Sequence, residues 1–230
     1  SSFTTRPSRH PALTVSLTPT PATRLIATRR LTAPVSDDSQ SEARAFARDA
    51  LSTVAVVVAV GAVLFAVSGV WPPMVAVESG SMQPTLERGD LVVVTAEVRY
   101  GGPAADDYGV VTANASEGYG RLGGPGDVVV YDTPSRDGSP IIHRAVFWVE
   151  DGENWYDRAN SSYVDGSDSC AELLNCPAPH AGYVTRGDDN DYYDQARGIA
   201  SPVRPDWVRA KGQFHVPYLG ELRLEVQKLL

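Results

Sequence analysis

Lysine is nearly missing from this chain: of 20 basic residues only Lys211 and Lys228 are lysines, so an amine base has only the C-terminal stretch to come from. Cysteine is scarce as well. Two residues, Cys170 and Cys176, are too few for a disulfide scaffold. They leave open a local loop-closing bridge in an oxidising compartment, two free thiols, or, with His180, three ligands of a metal site that usually takes four. Positive charge is in deficit, with 28 acidic residues and a net charge of -8 among 230 residues, which argues against binding nucleic acid. The deficit is uneven. Residues 1–35 hold five arginines and no acid, while the remainder holds 15 basic and 28 acidic residues.

Residues 1–45 also lack apolar periodicity, and a Ser/Thr/Pro/Arg/Ala composition of this kind cannot bury enough surface to offset chain entropy. We expect a disordered, cytoplasmic N-terminal tail there. Charge then disappears altogether for the 28 residues between Asp49 and Glu78. The 20-residue run Leu51–Val70, as a helix, spans about 30 Å, the thickness of a bilayer's hydrocarbon core. Trp71 follows at the interfacial position, and Pro72-Pro73 stop the helix. The all-round apolarity argues against a buried helix of a soluble protein, and the length against a cleaved signal peptide. Residues 50–71 are therefore expected to form a single transmembrane anchor. Arg24, Arg29, Arg30, Arg44 and Arg48 precede it, and only Arg88 and Arg99 lie in the 30 residues that follow. The positive-inside bias places the N-terminus in the cytoplasm, at the cell membrane, and residues 74–230 outside.

The outer part reads as mainly β. Leu91–Val98, Asp127–Tyr131 and Ile141–Val149 are short runs of β-branched and aromatic residues bounded by Gly, Pro and Asp, with weaker candidates at Tyr183–Thr185 and Gln213–Val216. Residues 101–125 and 151–180 are long connections without clear periodicity.

One segment has the makings of a reactive loop: Glu78-Ser79-Gly80-Ser81-Met82-Gln83-Pro84-Thr85, then Gly89-Asp90 before a strand. Glycine lets the backbone approach a substrate, and neighbouring hydroxyls and amides suit a developing oxyanion. Ser79–Thr85 with Gly89-Asp90 closely resembles the active-site box of type I signal peptidases, membrane-anchored serine proteases that remove signal peptides from exported preproteins. The resemblance maps the nucleophile to Ser81 and an oxyanion-hole hydroxyl to Ser79. The family divides by general base, a lysine in bacterial members and a histidine in the archaeal and endoplasmic-reticulum type. No lysine lies between Ser81 and Lys211, and Ile141–Val146 resembles the histidine box, with His143 as the base. An imidazole titrating near neutrality suits the task of unmasking a hydroxyl.

Thr185–Asp194 resembles the family's Gly-Asp-Asn-Asn segment, with Asp188 and Asp194 on its two aspartate positions; Asp189 replaces the usual first Asn. Either aspartate suits the partner of the imidazole, and the acidic turn is also open to a solvated role or to a cation such as Ca²⁺. Val216–Gly220 resembles a closing strand motif, so the likeness runs from about residue 50 to 222. It implies a signal-peptidase-like β-rich domain that cleaves preproteins by Ser81/His143 catalysis, with Asp188, Asp194 or both behind the imidazole. The Ser81 amide and Ser79 would hold the oxyanion, without metal or organic cofactor. The implied partners are exported preproteins, membrane lipid and the secretion machinery. The alternatives are a non-catalytic membrane-anchored binding module and a related serine peptidase with regulatory substrates.

Overall fold

A computed structural model describes residues 37–220 apart from Ser135 and Asp137; of the tail expected over residues 1–45, residues 1–36 lie outside the described residues. Helix α1 spans Asp37–Ser68. Residues 37–45, expected to be part of the irregular tail, are thus helical. Extending an already nucleated helix through Ser, Glu and Ala costs little. Gln40–Ser68 is long and apolar enough to cross a membrane, with an 18-residue stretch of mean hydropathy 2.6 that is not buried at all.

The end of α1 is tied down by its own geometry and by a later turn. Gly69 adopts φ 77°, and its amide donates to the Phe65 carbonyl at 2.7 Å. Further along, the Ala96 amide donates to Ser68 O at 2.8 Å, and the Arg99 guanidinium donates to the Ala66 and Val67 carbonyls. The carbonyls that a helix end leaves unpaired are thereby met.

The rest is mainly β. Strands β1 (Met74–Ala76), β2 (Leu91–Thr95), β5 (Val128–Tyr131), β6 (Ile141–Val149), β7 (Gly182–Arg186) and β8 (Val208–Val216) form one antiparallel sheet in the order β1-β2-β8-β5-β6-β7. A small hairpin pairs β3 (Gly120–Arg121) with β4 (Gly124–Pro125). Side chains alternate between the two faces of β5. Val128 and Val130 join a core with Met82, Leu86, Val92 and Val94, whereas Val129 and Tyr131 join one with Ala145, Tyr183 and Val203. Each fully buried valine of this kind contributes about 1.5–3 kcal/mol.

Two strand expectations shift. β2 stops at Thr95 because residues 96–100 turn back onto the end of α1. β8 begins at Val208, well before the expected Gln213, because Lys211 is buried against Asp127 at 3.2 Å and so acts as a core residue. The connection 151–180 packs Trp155, Val164 and Leu173 under Phe147 and Tyr193, and it holds a Cys170–Cys176 disulfide. That bond uses both sulfurs, so the three-ligand reading with His180 falls away. His180 Nδ1 instead donates to the Ala181 carbonyl at 3.0 Å, leaving Nε2 to accept from the Ser201 hydroxyl at 3.2 Å.

Candidate active site

Ser81 is carried on the loop between β1 and β2, and that loop is anchored on both sides of it. Met82 and Leu86 are buried as plugs in the core, and the turn closes through Gln83 N–H to Gly80 O at 3.0 Å and Leu86 N–H to Met82 O at 2.9 Å. At its base Val77 N–H donates to Asp90 O and Gly89 N–H to Val77 O, both at 2.9 Å. Burial alone would raise the pKa of Asp90. It lies below the ordinary carboxylate value because the Glu87 amide, His215 and the Tyr218 amide all bond the ionised form.

A second loop grips the Ser81 backbone from the far edge of the sheet. Just past β7, the Asp189 amide donates to Ser81 O at 3.0 Å. A Cβ on Gly187 would stand 2.5 Å from that same carbonyl oxygen, so this approach requires glycine. The serine side chain is left half-buried, with Oγ 3.1 Å from Ser79 Oγ.

His143 is the third residue of β6, paired across the sheet with Val129, and is 5% exposed. Its Nε2 is 2.9 Å from Ser81 Oγ, and its Nδ1 is 2.7 Å from Asp194 Oδ2. Asp194 is fully buried. The same Oδ2 also accepts from the Tyr131 hydroxyl at 2.9 Å and from the Thr185 hydroxyl at 2.6 Å. An ionised carboxylate only accepts, so His143 Nδ1 is the donor in its pair and Nε2 is the acceptor facing the serine. This is the tautomer in which an imidazole can take a hydroxyl proton.

Asp188 goes elsewhere. Its two oxygens receive Nε and Nη2 of Arg144 at 2.8 and 2.6 Å. Arg144 spends further donors on the Arg121, Leu122 and Pro125 carbonyls, each at 3.1 Å. This pair joins the β3–β4 hairpin to the loop after β7 and does not reach the imidazole. Of the two sequence candidates, Asp194 alone hydrogen-bonds His143. Asp188→Ala is expected to destabilise the fold by about 3–5 kcal/mol by leaving a buried guanidinium unpaired. A denaturant midpoint unchanged from the parent would remove that role.

Ser81 and His143 open into a cleft of about 790 Å³, whose walls include Trp71, Val75, Ile142 and Ile199. The cleft thus extends from the residues just past the apolar helix to the Ser–His pair.

Residues 50–147 match the family described as signal peptidase, peptidase S26. Over that stretch the chain is similar to signal peptidases. It is also 28% identical over 155 residues to the signal peptidase complex catalytic subunit sec11 of Schizosaccharomyces pombe. That alignment covers 66% of this chain and 66% of the relative, so it spans just under two thirds of the relative's length. Both comparisons bear out the resemblance read from the serine and histidine boxes. The family match takes in Ser79, Ser81 and His143 but ends before Asp188 and Asp194. The pairing of Asp194 with the ring therefore rests on the hydrogen bonds themselves.

Sequence reasoning missed Arg144, Tyr131 and Thr185 as members of the site. Arg144 had a signal, since it directly follows His143 in the histidine box. Tyr131 and Thr185 had none, because a Tyr ending a strand and a Thr inside one are ordinary β residues.

Proposed function

We propose that this protein is a membrane-anchored signal peptidase that cleaves signal peptides from exported preproteins through a Ser81–His143–Asp194 triad. The observation that carries the reading is the continuous chain from Ser81 Oγ to His143 Nε2 at 2.9 Å and from His143 Nδ1 to Asp194 at 2.7 Å, in a chain whose residues 50–147 match the signal peptidase family. A non-catalytic binding module gives no reason for that alignment.

In this mechanism Ser81 Oγ forms a bond to the scissile carbonyl carbon while His143 Nε2 takes the hydroxyl proton. Asp194 stabilises the imidazolium that results. The carbonyl oxygen becomes an oxyanion facing the Ser81 amide and the Ser79 hydroxyl, the two groups proposed to hold it. The imidazolium then gives its proton to the amine of the mature protein as the C–N bond breaks. Water, deprotonated by the same imidazole, releases the signal peptide from Ser81. Shallow subsites in the cleft favour small side chains and so an Ala-x-Ala junction.

Helix α1 is proposed as the anchor, with the N-terminus cytoplasmic and the catalytic domain outside. The Cys170–Cys176 disulfide supports that orientation, since such bonds persist in oxidising compartments. Tethering confines the search to the membrane surface, where signal peptides emerge. The proposal is tested by incubating the full chain in detergent micelles with a preprotein and sequencing the new N-terminus by mass spectrometry. A cut at the signal junction is expected; no cut, or cuts scattered through the mature region, would overturn it.

A further inference from the structure

We propose that Tyr131 and Thr185 are positioning residues that set the basicity of His143 by competing with it for one oxygen of Asp194. The inference builds on the triad reading above and concerns how strongly that triad holds a proton.

The Asp194 carboxylate is loaded on one side only. Oδ2 receives three donors, His143 Nδ1 at 2.7 Å, the Tyr131 hydroxyl at 2.9 Å and the Thr185 hydroxyl at 2.6 Å. Oδ1 is buried and has no hydrogen-bond partner among the described residues. An sp² oxygen has two lone pairs, so three donors on it share its charge, and each added donor weakens the others. Donors that stabilise the carboxylate reduce its pull on the imidazolium. Without the two hydroxyls, Asp194 would hold protonated His143 more tightly, and the base would be captured by a proton at a higher pH.

Neither hydroxyl is needed to fill space. The Tyr131 ring packs among Val129, Ile141 and Ala145, and phenylalanine would fill the same volume. The hydroxyl adds only contacts to Asp194 and, at 3.1 Å, to Thr185. Burial first, and then the charge of Asp194, push the Tyr131 phenol well above its ordinary range, so it stays a donor. Thr185 is held in turn by Gln195, whose Oε1 accepts the Thr185 amide at 2.9 Å and whose Nε2 reaches the Thr185 hydroxyl at 3.4 Å. Tyr131, His143 and Thr185 sit on the neighbouring strands β5, β6 and β7, a more rigid support than a loop.

The other charged groups on the elements around His143 have partners or lie outside the hydrogen-bond chain. Arg144 on β6 is paired with Asp188, Lys211 on β8 with Asp127, and Arg209 with Asp132. Glu78, on the serine loop, accepts from Ser139 at 2.7 Å, and Arg136 acts on Tyr131 through its charge. Among the described titratable groups, only Asp194 and Tyr131 belong to the chain of hydrogen bonds that ends on the ring.

The test measures kcat/KM against pH for preprotein cleavage by the full chain and its Tyr131→Phe and Thr185→Val variants. Each variant is expected to move the low-pH limb upward by about half a unit or more. Thr185→Ser, which keeps the hydroxyl, should return the limb to its parent position. The same upward shift is expected for the His143 ring signals in NMR titrations in a Ser81→Ala background. That measurement needs no turnover, so it decides this proposal even where no preprotein is cleaved and the peptidase reading itself fails. If Tyr131→Phe does not fold, Thr185→Val and its serine control decide. A limb and a titration that stay in place, or that move to lower pH, would overturn the proposal and leave both hydroxyls with a structural role.

Discussion

Ser81→Ala is expected to lower kcat/KM for preprotein cleavage by about 10⁵–10⁶-fold, the scale seen when a serine protease loses its nucleophile. Stability should scarcely change, because the fold uses the rest of this loop and not the hydroxyl. Met82 and Leu86 anchor it in the core, and the neighbouring loop bonds the Ser81 carbonyl through the Asp189 amide. Among the described residues the serine hydroxyl hydrogen-bonds only His143 Nε2 and Ser79 Oγ. Removing it deletes the attacking atom and leaves an imidazole facing the cleft, where water can replace the lost partner. The measurement pairs product quantitation by mass spectrometry with a melting curve. A well-folded variant that still cleaves at the parent rate would take Ser81 out of the nucleophile role.

The parts of this site that could be read from the sequence are those built from adjacent residues. Ser79, Gly80 and Ser81 form a turn whose composition announces close approach, and His143 sits inside an obvious strand. The choice between Asp188 and Asp194 was not legible, because both fall in one acidic stretch of seven residues. Strand geometry makes that choice. Neighbouring residues on β6 point to opposite faces, so His143 and Arg144 cannot share an aspartate. Arg144 meets the carboxylate just past Gly187, and His143 meets the one six residues further on, under β5 and β7. Such a pairing depends on how the sheet closes, which composition does not encode. The missing first half of β8 has a similar cause: Lys211 reads as a surface residue until its buried partner Asp127 is known. The disulfide was not legible because two cysteines at this spacing suit a local bridge and two free thiols alike. The helical start at Asp37 was hidden by a polar composition that an adjoining helix carries easily.

Asp194→Ala should lower kcat/KM by about 10⁴-fold, since both the orientation of the ring and the charge that stabilises imidazolium are lost. Asp194→Asn divides those two contributions in an unusual way here. In a triad whose carboxylate faces only the imidazole, an asparagine can turn its amide nitrogen toward Nδ1 and trap the wrong tautomer. In this site the position of Oδ2 is already faced by the Tyr131 and Thr185 hydroxyls as well as by Nδ1. These three donors favour the amide oxygen there and send the NH₂ to the unpartnered side now occupied by Oδ1. The productive tautomer is then kept and only the charge is lost, a penalty of about 10²–10³-fold for an electrostatic contribution of a few kcal/mol. Asparagine should therefore be clearly better than alanine in kcat/KM, and adding Tyr131→Phe should narrow the gap by removing one of the donors that fixes the amide. An asparagine variant as poor as alanine would mean that the amide nitrogen faces the ring despite the two hydroxyls.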